Sequence, residues 1–77
     1  MTLVFLGRLE DVAGSAEREA PAGSIESVLD NLDPVLRQAL SQPRIKLALN
    51  GILVFDQTGL VLGDGDELAF LPPVSGG

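Results

Sequence analysis

The sequence predicts one small α+β domain, and three observations carry that expectation. The chain has 77 residues, 45% of them hydrophobic, enough for one packed interior and too few for two. Two apolar runs, Ile45-Lys46-Leu47-Ala48-Leu49 and Ile52-Leu53-Val54-Phe55, flank Asn50-Gly51, a dipeptide that tolerates the positive φ angles of a type I′ hairpin turn. Ile25, Val28, Leu29 and Leu32 fall at i, i+3, i+4 and i+7, the spacing of one helical face. A few strands and one amphipathic helix bury their apolar sides by packing the helix on one face of the sheet.

Each element has its own signal. Leu3-Val4-Phe5-Leu6 reads as the first strand, over residues 3–6. The polar stretch Arg8 to Ala20 follows, in which Leu9, Val12 and Ala13 suit one helical turn and Ala16 to Ala20 a solvated edge strand. Pro21-Ala22-Gly23 marks a turn. Ser24 suits an N-cap, and Glu26 lies where the helix dipole favours a negative charge. Asp33-Pro34 repeats the pattern of cap and first-turn proline, restarting a short helix through Val35, Leu36, Ala39 and Leu40. Gln42-Pro43 ends it before the hairpin. A loop containing Gly59 and Gly63 leads to an Asp64-Gly65-Asp66 turn, and Glu67 to Leu71 forms the last strand.

Strand residues alternate between faces, so the two faces can be compared. Leu3, Phe5, Leu47, Leu49, Ile52, Val54, Leu68 and Phe70 make the bulkier set and are expected to face the helix. The opposite set contains Val4, Leu6, Ala48, Leu53, Phe55, Ala69 and Leu71, and it is apolar too. A sheet face meant for water alternates to polar residues. This one does not, which points to a partner surface.

Composition removes several function classes. There is no cysteine and no histidine, which excludes disulfides, thiol nucleophiles, Cys/His zinc sites and Ser-His or Cys-His couples within this chain. A net charge of −6 with only five Lys and Arg argues against nucleic acid, whose phosphates demand basic side chains. It suits encounter with a basic protein partner instead. The apolar runs are far shorter than the ~18 residues of a membrane helix, and no signal segment opens the chain, so no membrane association and a cytoplasmic location are expected. Asp64-Gly65-Asp66-Glu67 lacks the spaced ligands of a calcium loop, because Leu68, Ala69 and Phe70 interrupt it. Gly63-Asp64-Gly65 precedes no helix and carries no lysine, so it is no phosphate loop. No metal ligands are expected.

The chain ends in Pro72-Pro73-Val74-Ser75-Gly76-Gly77. At an average glycine use of about 7%, two terminal glycines arise by chance in roughly 0.5% of chains. Each proline lacks an N–H and holds φ near −65°, so the chain leaves the sheet as a semi-rigid extended spacer. Gly76-Gly77 is the narrowest peptide available and can thread a tunnel that any side chain would block. The only reactive group there is the α-carboxylate of Gly77.

"LVFLGRLEDVAG", "LALNG…LV" and above all "LGDGDELAFLPPVSGG" resemble the small, sulfur-carrying subunit of molybdopterin synthase. The resemblance spans nearly the whole chain and is strongest over residues 64–77. Gly-Gly alone is common to thiamine-pathway sulfur carriers and ubiquitin relatives, whereas Pro72-Pro73-Val74 favours the molybdopterin branch. Two departures stand out: the segment around Asp56–Leu62 is slightly long, and Leu71 stands where an aromatic is common.

The resemblance implies a ubiquitin-like β-grasp fold, a mixed sheet with one main helix on one face, formed by a single domain over residues 1–77 with a flexible tail over 72–77. It also implies that the chain is not catalytic alone and binds no cofactor. An E1-like adenylyltransferase uses ATP to adenylate the Gly77 carboxylate, a sulfur nucleophile converts it to a thiocarboxylate, and the tail enters the large synthase subunit. There the sulfur passes to a cyclic pterin monophosphate, within a heterotetramer of small and large subunits. Pro72, Pro73, Val74, Ser75 and Gly76 then thread the tail, while Leu6, Leu53, Phe55 and Leu71 dock the partners. The alternatives are sulfur delivery to thiamine or another thio-metabolite, a ubiquitin-like modifier of lysines, and a plain interaction module.

Overall fold

The five stretches that the sequence marks as strands come together in one sheet. In chain order the elements are β1 (Thr2–Phe5), α1 (Leu9–Ala13), β2 (Glu17–Glu19), β3 (Gly23–Ser24), α2 (Ile25–Asp30), α3 (Pro34–Leu40), β4 (Lys46–Leu49), β5 (Ile52–Val54), β6 (Val61–Leu62) and β7 (Glu67–Leu71). They are seen in a computed structural model that describes residues 1–73. The main sheet runs β2-β1-β7-β4-β5, with β1 and β7 parallel at its centre and every other neighbour antiparallel. The first and last strands of the chain are therefore paired. Since they are parallel, both leave the sheet at the same end.

The helices start where their caps dictate. The Ser24 hydroxyl accepts a hydrogen bond from the Ser27 N–H at 3.1 Å, and the Asp33 carboxylate accepts one from Leu36 N–H at 3.1 Å, with Pro34 opening α3. Each cap satisfies a donor that the helix leaves unpaired, at about 1 kcal/mol apiece. Ile25 and Val28 of α2, Leu32 after it, and Leu36 and Leu40 of α3 are buried against Leu3, Phe5, Leu47, Leu68 and Phe70 of the sheet. The Phe5 and Phe70 rings, partners in the parallel β1–β7 register, stack at 5.7 Å between centroids. The Arg18 guanidinium sits 5.8 Å from the Phe5 centroid and donates to the Ala13 carbonyl at 2.8 Å, closing that edge of the core.

This is the β-grasp architecture, a mixed sheet with helices on one face. Several details differ from the sequence reading. β1 begins and ends one residue earlier than residues 3–6. Three short helices cover the sheet where one main helix was expected, although the restart at Asp33-Pro34 and the turn at Leu9–Ala13 fall where the sequence placed them. Ile52, placed by alternation in the helix-facing set, is 73% exposed. It closes the hairpin at the end of edge strand β5, beyond the reach of the helices. Pro21-Ala22-Gly23 and the 56–63 loop also hold a second, two-stranded sheet, β3 with β6, in which Leu62 is buried. Strands of two residues carry too little periodicity to be read from sequence.

The Asn50-Gly51 turn has the expected form, with φ of 52° and 85°, and Leu49 pairs with Ile52 across it. Asn50 does more than turn the chain. Its side-chain oxygen accepts from the Glu67 N–H at 2.9 Å, and its amide donates to the Asp66 carboxylate at 3.0 Å. The other Asp66 oxygen accepts from the Gly63 N–H at 2.8 Å. These bonds pin the hairpin tip to the start of β7. The Gly63 N–H, and after it the Asn50 amide, hold the Asp66 carboxyl below the usual carboxylate range.

A carboxyl whose pKa is lower in the folded protein stabilises the fold above its unfolded pKa, and that contribution is lost as pH falls through the folded value. Asp66→Asn keeps the shape and removes the titration. The thermal midpoint of the native chain is therefore expected to fall more steeply than that of Asp66→Asn below about pH 4. Parallel curves from pH 6 to pH 2 in a thermal melt series sink the assignment.

Candidate functional site

β7 ends at Leu71 for a physical reason. The Leu6 N–H donates to the Phe70 carbonyl at 3.1 Å, and the next bond of that parallel ladder needs an N–H on residue 72. Pro72 has none. The proline instead packs on the backbone of Gly7, where an added Cβ would lie 3.0 Å from the Pro72 ring. Gly7 also has φ of +55°, so both its conformation and its closeness to the proline favour glycine. Pro73 continues along a cleft of about 490 Å³ that Arg8, Leu9, Val12, Arg44 and Ile45 also line. Val74, Ser75, Gly76 and Gly77, expected to carry the threading and the reactive carboxylate, lie outside the described residues.

The face of the sheet away from the helices is built from one continuous register. Glu17, Val4, Ala69, Ala48 and Leu53 form a row across β2, β1, β7, β4 and β5. Thr2 and Glu19 on one side, and Leu71 and Lys46 on the other, occupy the flanking rows. The small side chains Ala48 and Ala69 leave a shallow floor. Leu53, on the edge strand, is 48% exposed and Leu6 is 40% exposed; Phe55, just past β5, is 88% exposed. Leu71 is half-buried. Leu6, Leu53 and Leu71 are thus brought to one face, and Phe55 extends its edge.

That face is graded. Glu19 and Glu67 stand at the end where β1 and β7 begin, Glu17 lies in the middle row on the edge strand, and Leu71, Lys46 and Leu6 stand at the end where the tail departs. The lone pairs of Asp66 are committed to Gly63 and Asn50. Asp56 accepts from the Thr58 N–H, which lowers its pKa in the same way. Among the described residues no group of acidic side chains is placed to hold a metal, and no helix is long and apolar enough to cross a membrane. What the arrangement offers is a contact surface and a launch point for the terminus.

The cleft beside Pro73 has no signal in the sequence. Arg8 and Arg44 carry no motif, and only the parallel pairing of β1 with β7 and the antiparallel pairing of β4 with β7 bring them together.

A β-grasp sheet, an uncovered apolar face and a proline-launched terminus define a ubiquitin-like protein. Residues 3–77 match the ThiS family, and the chain belongs to it: it is a ubiquitin-like sulfur carrier or modifier. Solved structures agree. SAMP1 from Haloferax volcanii is 26% identical and superposes with a TM-score of 0.72 over 99% of this chain and 97% of the other. Small archaeal modifier protein 1 from Methanosarcina acetivorans is 28% identical, with a TM-score of 0.73 over 99% and 94%. A putative molybdopterin converting factor, subunit 1, from Pyrococcus furiosus has a TM-score of 0.69 over 95% of each chain. At 21% identity that last likeness is one of fold.

Proposed function

We propose that this chain is the sulfur-carrier subunit of a molybdopterin synthase. The observation that carries the reading is Gly76-Gly77 set behind Pro72-Pro73-Val74, on a strand whose pairing stops at Pro72. A carboxylate oxygen of Gly77 attacks the α-phosphorus of ATP on an E1-like adenylyltransferase, and pyrophosphate leaves. A hydrosulfide-level sulfur nucleophile then attacks the carbonyl carbon of the acyl adenylate, AMP leaves, and a thiocarboxylate results. Inside the large synthase subunit the thiocarboxylate sulfur bonds to a carbon of a cyclic pyranopterin monophosphate, and water cleaves the acyl C–S bond and returns Gly77 to a carboxylate. A dithiolene holds two sulfurs, so two loaded carriers are consumed per pterin, which suits a heterotetramer. The partners supply the acid–base groups. The absence of histidine and cysteine is consistent with a chain that carries a reagent.

The test is intact-mass analysis of the chain drawn from its own cell, together with incubation of the loaded form with the large subunit and the pterin precursor. A terminal oxygen replaced by sulfur and formation of the dithiolene support the proposal. A loaded carrier that thiolates a thiamine precursor or another metabolite, and leaves the pterin unchanged, overturns the molybdopterin role.

A second reading has its own support. The two archaeal modifier proteins are 26% and 28% identical to this chain, more than the molybdopterin converting factor is. As a modifier, the chain joins its Gly77 carbonyl to lysine amines, and a ladder of slower species on a denaturing gel marks it.

A further inference from the structure

Five basic side chains are present in a chain of net charge −6, and their positions are uneven. Arg37 pairs with Asp30 at 2.8 Å, and Arg18 is spent on Ala13 and Phe5. Arg8, Arg44 and Lys46 have no ion-pair partner among the described residues. All three surround the point where the tail leaves. Arg8 follows β1, which exits the sheet beside β7, and Lys46 is the register partner of Leu71. Arg8 and Arg44 line the cleft with Pro73, over an apolar floor of Leu9, Val12 and Ile45, and among the described residues no carboxylate lines it. The opposite end of the outer face carries Glu19 and Glu67. The molecule is thus acidic overall with a basic collar at its tail.

We propose that Arg8, Arg44 and Lys46 form a docking collar for the adenylating enzyme, seating a lip of that enzyme that bears carboxylates and one apolar side chain. The identity of the partner rests on the sulfur-carrier reading. The chemistry of the lip rests on the collar. A net-negative carrier is repelled by an acidic surface in every orientation except tail first, so the collar selects the productive encounter. The apolar floor favours an aliphatic side chain between the two guanidinium groups. Nucleotide is the wrong occupant: the four residues beyond Pro73 span up to about 14 Å when extended, so an adenylated Gly77 inserted into the enzyme lies well away from the collar. Three cations are also too few to hold nucleic acid against the remaining negative charge.

The test uses the full chain and the adenylating enzyme from the same cell, with carrier-dependent ATP–pyrophosphate exchange as the readout. The double variant Arg8→Glu/Arg44→Glu is expected to raise the KM for the carrier about tenfold or more and to leave kcat unchanged. The native KM rises with added salt, and that dependence is flattened in the variant. Arg37→Glu, on the far side of α3, keeps the native KM. If the glutamates lower the thermal midpoint, Arg8→Gln/Arg44→Gln retains much of each aliphatic stem and gives a smaller KM increase in the same direction. An unchanged KM in a folded variant overturns the collar while the carrier reading stands. A native chain that supports no exchange at all overturns the carrier reading, and the collar's occupant falls with it.

Discussion

Deletion of Gly77 is expected to abolish adenylation and sulfur transfer and to leave the fold untouched. Among the described residues the last buried one is Phe70, so the fold is expected to survive loss of the terminal residue. Removing one residue draws the carboxylate back by about 3.3–3.6 Å. A reacting group displaced by about 1 Å already loses roughly 10²-fold in rate, so the loss here exceeds that. Adding a residue after Gly77 pushes the carboxylate equally far the other way and has the same expected result. Circular dichroism and a thermal melt establish the fold, and exchange of pyrophosphate into ATP reads the chemistry. Retained sulfur transfer by a folded Gly77-deleted chain would falsify the assignment of the terminus as the site.

Leu53→Asp is expected to weaken binding to the large subunit by at least about 10²-fold while the thermal midpoint barely moves. Leu53 stands on edge strand β5, directly opposite Ala48, and is 48% exposed. An outward side chain leaves no cavity when replaced. In a complex the same side chain contributes about 1.5–3 kcal/mol if fully buried, and an aspartate in its place brings an unpaired charge against apolar contacts. Calorimetry of the complex and a melt of the free chain read the two quantities separately. Native affinity in a folded variant means that the outer face is idle and that the tail is the whole contact.

Much of the fold follows from local chemistry. The Asn50-Gly51 turn, the caps at Ser24 and Asp33, and the restart at Pro34 each depend on one residue and its near neighbours, and each has the expected geometry. Face alternation placed Leu3, Phe5, Leu47, Leu68 and Phe70 inward, and all are buried. It failed at Ile52, because parity says which face a residue takes but not how far the helices extend over it. The edge strand at 17–19 was legible only from its position between a turn and the first strand. Leu62 was lost in a loop because its strand is two residues long and its partner, Gly23-Ser24, is distant in sequence.

The tail belongs to the sequence alone: Pro72-Pro73 ahead of Gly76-Gly77 is a statement about backbone freedom, and the family match over residues 3–77 rests on the same kind of information. The surroundings of the tail belong to the tertiary structure. Only the parallel pairing of β1 with β7 places Gly7 beneath Pro72 and Arg8 beside Pro73, and only the β4–β7 register brings Lys46 to Leu71. Likewise Asn50 reads as a turn residue until the Asp66 carboxylate arrives to accept from its amide and the Glu67 N–H to donate to its oxygen. Turns, caps and alternation act over a few residues and are written in order along the chain. Charge placement around the tail arises from contacts between segments far apart in sequence, so it exists only once the sheet has closed.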